Sequence, residues 1–121
     1  MEINEYQRKA MQTCMPTSDN LLYMLTNLMG EVGSFAGKIA KHVCKGQLFV
    51  VTSASRDEYG NILHSQVMNI SDDDKEALAK EAGDIAWQLA GLCHVMGWSL
   101  EDICLMNLEK LVSNADIGIK D

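Results

Sequence analysis

The sequence predicts an all-α protein, a four-helix bundle with a short hairpin or loop insertion between its second and third helices. Three observations carry that prediction. Leu21, Leu25, Leu28, Val32, Phe35, Ile39 and Val43 recur at spacings of three and four over more than six turns, with no strand-like alternation. Two further segments of helical pattern follow, each opened by a serine and acidic residues. Only one proline, Pro16, interrupts the chain, which leaves room for long helices. The 121 residues suit one domain, 1–121, and a hydrophobic content of 47% is enough to fill its core.

In chain order, helix one is expected over about residues 2–14, where Ile3, Tyr6, Ala10 and Thr13 share a face. Helix two covers about 19–45, its stripe widened by Leu22, Met29, Ala36 and Ala40. Residues 46–70 break the period. Leu48-Phe49-Val50-Val51 is β-prone, Gly60-Asn61 is a turn signal, and Ile62-Leu63 and Val67-Met68 follow, so a hairpin or ordered flap is expected against a plain connector. Helix three covers about 72–97. Ser71 is its N-cap, Asp72, Asp73 and Asp74 fill the first turn where the dipole favours them, and Gly97 closes it. Helix four covers about 100–114, capped by Ser99, with Leu100, Ile103, Met106 or Asn107, and Leu111 on its inner side.

The net charge of −7 disfavours a nucleic-acid groove or an anionic membrane as partner. Small anionic ligands stay open where a metal and local lysines invert the sign. Cys14, Cys44, Cys93 and Cys104 form no C-x-x-C pair and read as reduced, buried thiols. With no signal peptide and no apolar run near ~20 residues, a cytoplasmic location is expected.

The chemistry lies in acids at helical spacing. Glu81 shares an apolar row with Leu78, Ile85 and Leu92, so it should point into the packed side of its helix, where an ionised carboxylate needs compensation. Asp84 follows one turn later. On helix two, Glu31 lies one turn from Leu28 and Phe35, with Ser34 three residues on. Antiparallel packing of helices two and three would bring three carboxylates and one hydroxyl together. A hard cation such as Mg²⁺ suits that oxygen set, and the lack of histidine or cysteine argues against zinc. Ordinary salt bridges to Lys38, Lys41 or Lys80 are the competing reading. Lys38 and Lys41, and on helix four Asn107 and Lys110, are placed to reach a polyphosphate. Trp87, Trp98, Tyr6 and Tyr23 offer stacking surfaces for a base, although aromatic residues at this spacing also serve as core. His42, His64 and His94 have no partner spacing and no assigned role.

The segments Leu28 to Ile39, Ala79 to Ala90, Ser99 to Ile103 and Asn107 to Leu111 resemble MazG-like nucleoside triphosphate pyrophosphohydrolases, of the all-α NTP pyrophosphatase group. The resemblance covers nearly the whole chain apart from 46–70. It implies a motif E-x-x-E, a spacer, then E-x-x-D, holding Mg²⁺, with Mn²⁺ as the alternative ion. It implies hydrolysis between the α and β phosphates, to a monophosphate and pyrophosphate, and a homodimer or homotetramer. Glu31, Glu81 and Asp84 match the first, third and fourth motif positions. Lys38, Asn107 and Lys110 match places that contact phosphate or nucleotide. Ser34 stands where the family has a glutamate. A hydroxyl can ligate the ion or hold a coordinated water, but it brings no charge. Glu5, Asp57 or Glu58 could replace the missing carboxylate. The departure opens a second reading, a catalytically weak nucleotide-binding or interaction module.

Overall fold

The computed structural model describes residues 1–50, 55–63 and 66–116. They form an all-α four-helix bundle fold with a small antiparallel insertion: α1 (Ile3–Met11), α2 (Leu21–Cys44), α3 (Asp72–Val95) and α4 (Leu100–Asp116). The chain divides into two compact units, Met1–Val32 with Gly83–Asp121, and Gly33–Ala82.

In the first unit, α1 stops at Met11, short of residue 14. The N–H groups of Gln12, Thr13 and Cys14 turn to acceptors three residues back, and the Thr13 hydroxyl donates to the Ala10 carbonyl at 2.6 Å. That side-chain bond competes with helix continuation. Pro16 opens a 3₁₀ turn, Pro16–Ser18. α2 then starts at Leu21, because the Asn20 carboxamide oxygen accepts from the Tyr23 N–H at 2.8 Å and caps the helix. Sequence reading identified no cap there.

The core of this unit comprises Ala90, Cys93 and Leu100, with Tyr6, Met11, Ile103 and Cys104 packed against them. Ala10 and Met24 are buried as well. α3 passes α2 antiparallel, with Met24 seated on Gly91. A Cβ at Gly91 would overlap the Met24 sulfur, so this glycine makes room for a side chain. Gly33, Gly37 and Gly83 have nothing within 4 Å of a notional Cβ, so close approach does not account for them. The expected stripe of α2 is also less buried than its period implied. Met24 is its buried residue, whereas Leu21, Leu25, Val32 and Val43 are exposed. On α4, Leu100 and Ile103 turn inward as expected, but Met106 and Leu111 are exposed.

Gln7 ties α1 to the α3–α4 turn. Its Nε2 donates to the carbonyls of Ala90 (3.3 Å) and Trp98 (3.1 Å), and its Oε1 accepts from the Leu100 N–H at 2.9 Å. Gly97 (φ 75°) ends α3 with Trp98 N–H donating to the Cys93 carbonyl at 2.8 Å, a Schellman closure. Ser99 Oγ accepts from the Asp102 N–H at 3.0 Å and opens α4.

In the second unit, Gly46 (φ 71°) closes α2 in the same manner, Gln47 N–H donating to the His42 carbonyl at 2.9 Å. Two nested antiparallel pairs follow. β1 (Leu48–Val50) pairs with β4 (Gln66–Met68), Leu48 opposite Met68. β2 (Ser55–Arg56) pairs with β3 (Ile62–Leu63), Arg56 opposite Ile62. The hairpin expected over 46–70 is therefore present. Its tip is built by Asp57, whose Oδ1 accepts from the N–H groups of Tyr59 and Asn61, both at 2.9 Å, while Gly60 takes φ 85°. Ser71 caps α3, accepting from the Asp74 N–H at 3.2 Å. Among the described residues no single helix is long and apolar enough to cross a membrane.

Candidate metal centre

Helix geometry puts Glu31, Ser34 and Lys38 on one flank of α2, and Glu81 and Asp84 one turn apart on α3. In the first unit Glu31 is half-buried and Asp84 exposed, and an oxygen of each carboxylate lies within 4.8 Å of the other. Both charges lie close enough together for a shared cation to relieve their repulsion. Tyr6 is half-buried nearby. Burial pushes its phenol above the usual range, and the negative charge of Asp84 pushes it further.

In the second unit Glu81 is more enclosed, with 13% of its side chain exposed. Its Oε1 accepts a hydrogen bond from Ser34 Oγ at 3.2 Å and a second from the Lys38 ammonium. The Lys38 bond does most to hold the Glu81 carboxyl below its ordinary range. Burial opposes it, and the Lys38 charge and the Ser34 hydroxyl add to it. Leu78, Ile85 and Leu92, its expected row-mates, are half-buried like Glu81. The row exists, but it borders solvent, and Asp84 at its flank is open to water.

The residue set fits a hard divalent ion. Every donor is an oxygen, two of the acids already crowd one another, and the third holds an ammonium in the position of a counter-cation. Of the three carboxylates named as replacements for the missing glutamate, two are engaged elsewhere. Glu5 pairs with Lys9 at 2.8 Å, and Asp57 builds the hairpin tip, where Glu58 is exposed.

Other expected site residues fall in different places. Lys41 lines a groove with Lys38, His42 and Lys45. Asn107 and Lys110 are exposed on α4 and make no hydrogen bond or ion pair with the acids among the described residues. Trp87 is bound to α1, its Nε1–H shared between the Ala10 carbonyl (3.1 Å) and Thr13 Oγ1 (2.9 Å), so it has no donor left for a ligand. His64 lies outside the described residues. Sequence reasoning passed over Gln88, one turn beyond Asp84, which is buried with its Oε1 unpartnered among the described residues. The only hint was a carboxamide interrupting an apolar run. It also passed over His42 and Lys45, whose 3–4 spacing from Lys38 and Lys41 was the available signal.

The fold is all-α, with an E-x-x-D turn on α3 and a Gly-Glu-x-Gly segment on α2. Residues 19–115 match the MazG nucleotide pyrophosphohydrolase domain, and the chain belongs to that family. The match runs through both compact units. The chain is also similar to the Gene 37 protein of Mycobacterium phage L5, 26% identical over 126 residues that span 98% of this chain and 93% of that protein. No solved structure matches it.

Proposed function

We propose that the protein is a Mg²⁺-dependent nucleoside triphosphate pyrophosphohydrolase, converting a nucleoside or deoxynucleoside triphosphate to its monophosphate and pyrophosphate. Family membership supports the reaction class. The observation that carries the reading is the meeting of Glu31 and Asp84 carboxylates, with Glu81 one turn before Asp84 on the same helix. Those three acids would hold the ion. When bound, a divalent cation neutralises phosphate charge and lowers the pKa of a coordinated water.

The chain's own residues set up the rest. Ser34 keeps Glu81 oriented by donating to it, and occupies the motif place of a carboxylate with a neutral group. Lys38 neutralises Glu81 in the free protein and can exchange that partner for a phosphate oxygen once a cation takes over the carboxylate. Asp84, exposed, is the acid a ligand meets first. Tyr6 stands beside it with its phenol proton retained, a donor for a negatively charged ligand.

Self-association belongs to the same reading. Leu22 (78% exposed) and Met29 (70%) on α2, and Met106, Leu108, Leu111 and Val112 on α4, are apolar side chains in solvent, and a second copy of the chain would cover such surfaces. The second reading, a nucleotide binder with little turnover, is favoured by Ser34 alone.

The test is product analysis. Purified protein with Mg²⁺ and a panel of canonical and altered triphosphates is expected to release monophosphate and pyrophosphate in equal amounts. Nucleotide binding with no turnover on any substrate would replace the hydrolase with the binder.

A further inference from the structure

Within residues 33–82, α2 ends in a basic flank. Lys38, Lys41, His42 and Lys45 line a groove of about 230 Å³, opposite Asp74 and two apolar side chains from the first turns of α3. Three of the chain's 10 lysines and arginines thus face one groove of a protein whose net charge is −7. Asp74 is the acid on the wall, and its position in the first turn of α3 lets the helix dipole offset its charge. The His42 ring is fixed: Nδ1 lies 2.7 Å from Gln47 Oε1, which can only accept, so Nδ1 carries the proton. Among the described residues Lys38 is paired with Glu81, while neither Lys41 nor Lys45 forms an ion pair.

The length of this flank is its informative property. Lys38 to Lys45 covers two helical turns, about 10 Å. The two linked phosphates released from a triphosphate are shorter than that flank. A triphosphate cleaved beside Glu81 would lie against Lys38 and Lys41 first, and a longer phosphate chain would extend along the groove toward Lys45.

We propose that this lysine-lined groove binds a condensed-phosphate chain longer than the pyrophosphate portion of a triphosphate, so that the substrates include nucleotides with a further anionic group beyond the γ-phosphate. The claim about substrates rests on the hydrolase reading. The claim about the groove rests on its own charge and length.

Binding of inorganic pyrophosphate and inorganic tetraphosphate is measured by calorimetry, with Mg²⁺, for the full chain, for Lys45→Gln and for Lys75→Gln. Lys75 is an exposed lysine of α3 outside the groove, so its variant removes the same charge without touching the groove. The native chain is expected to prefer tetraphosphate. Lys45→Gln should cut that preference by about tenfold, the order of one lost charge-assisted contact, and Lys75→Gln should leave it. An equal loss in both variants, or a loss in neither, overturns the groove. Hydrolysis of a nucleoside tetraphosphate and of a triphosphate is then compared. Triphosphate cleavage with no tetraphosphate preference overturns the proposal and leaves the hydrolase standing. Preferential tetraphosphate binding with neither nucleotide cleaved sinks the hydrolase reading and, with it, the claim about substrates.

Discussion

The Ser34 hydroxyl donates to Oε1 of Glu81 at 3.2 Å. The motif that the family resemblance implies has a glutamate at the position of Ser34, which would face Glu81 as a second negative charge. Here the facing group is a neutral donor, and the Lys38 ammonium completes the shell of the carboxylate. Hydrogen bonding and one lysine thus hold the Glu81 carboxyl below its ordinary range.

That relationship makes Ser34→Glu the most informative single change. It restores the fourth carboxylate, and ligand charge count governs how tightly a hard cation is held. Mn²⁺ binding by calorimetry should tighten by about tenfold, the order of one added charged ligand. Unchanged or weaker binding would show that Ser34 does not border the ion.

Glu81→Ala removes the best-enclosed of the three acids and frees Lys38. Turnover should fall by at least about a hundredfold, the upper range for losing groups that orient a metal. The far-ultraviolet circular dichroism should stay helical, since Glu81 contributes no cap and no core contact. Near-native turnover in this variant would place the chemistry elsewhere.

Met24 and Gly91 provide a test of packing independent of any ligand. In the native chain, Gly91→Ala gains up to about 1 kcal/mol of helix propensity but forces Met24 aside, an overpacking cost of about 1–3 kcal/mol. The midpoint of denaturant unfolding should fall. In a Met24→Ala background, itself destabilised by about 2–5 kcal/mol, the same change should become stabilising. A double-mutant cycle with no coupling would remove this contact from the account.

The hairpin tip carries a pH signature. Asp57 has an ordinary pKa of 3.8 and is held below it, chiefly by the Asn61 N–H, with partial burial opposing and the Asn61 carboxamide and Tyr59 N–H assisting. A carboxyl depressed in the folded state stabilises that state above its unfolded pKa and stops doing so as pH falls through its folded one. The Tyr59 and Asn61 amide resonances should thus hold their folded shifts at pH 5 and move toward random-coil values only below 3.8. In Asp57→Asn that transition should vanish.

The helical framework was legible because its signals are local. Ser71, Ser99 and Gly97 cap or close helices where their side-chain chemistry requires. The acids were legible for the same reason, since E-x-x-D spacing alone puts two carboxylates on one flank. Burial was not legible. The stripe on α2 names seven residues, but which of its neighbours fills space depends on Gly91 of another helix, and Met24 was not among the seven. Gln7 and Gln88 read as surface residues until their surroundings are known. Lys45 just past the end of a helix looks like ordinary dipole compensation, and only Asp74 and Leu78 across from it make it part of a groove.

The central claim is that Glu31, Glu81 and Asp84 hold one divalent ion. Crystals grown with Mn²⁺ and measured at the manganese edge test it directly. An anomalous peak ligated by oxygens of all three side chains is the predicted result. A peak away from them, or acids still occupied by the Lys38 ammonium at saturating Mn²⁺, would contradict it.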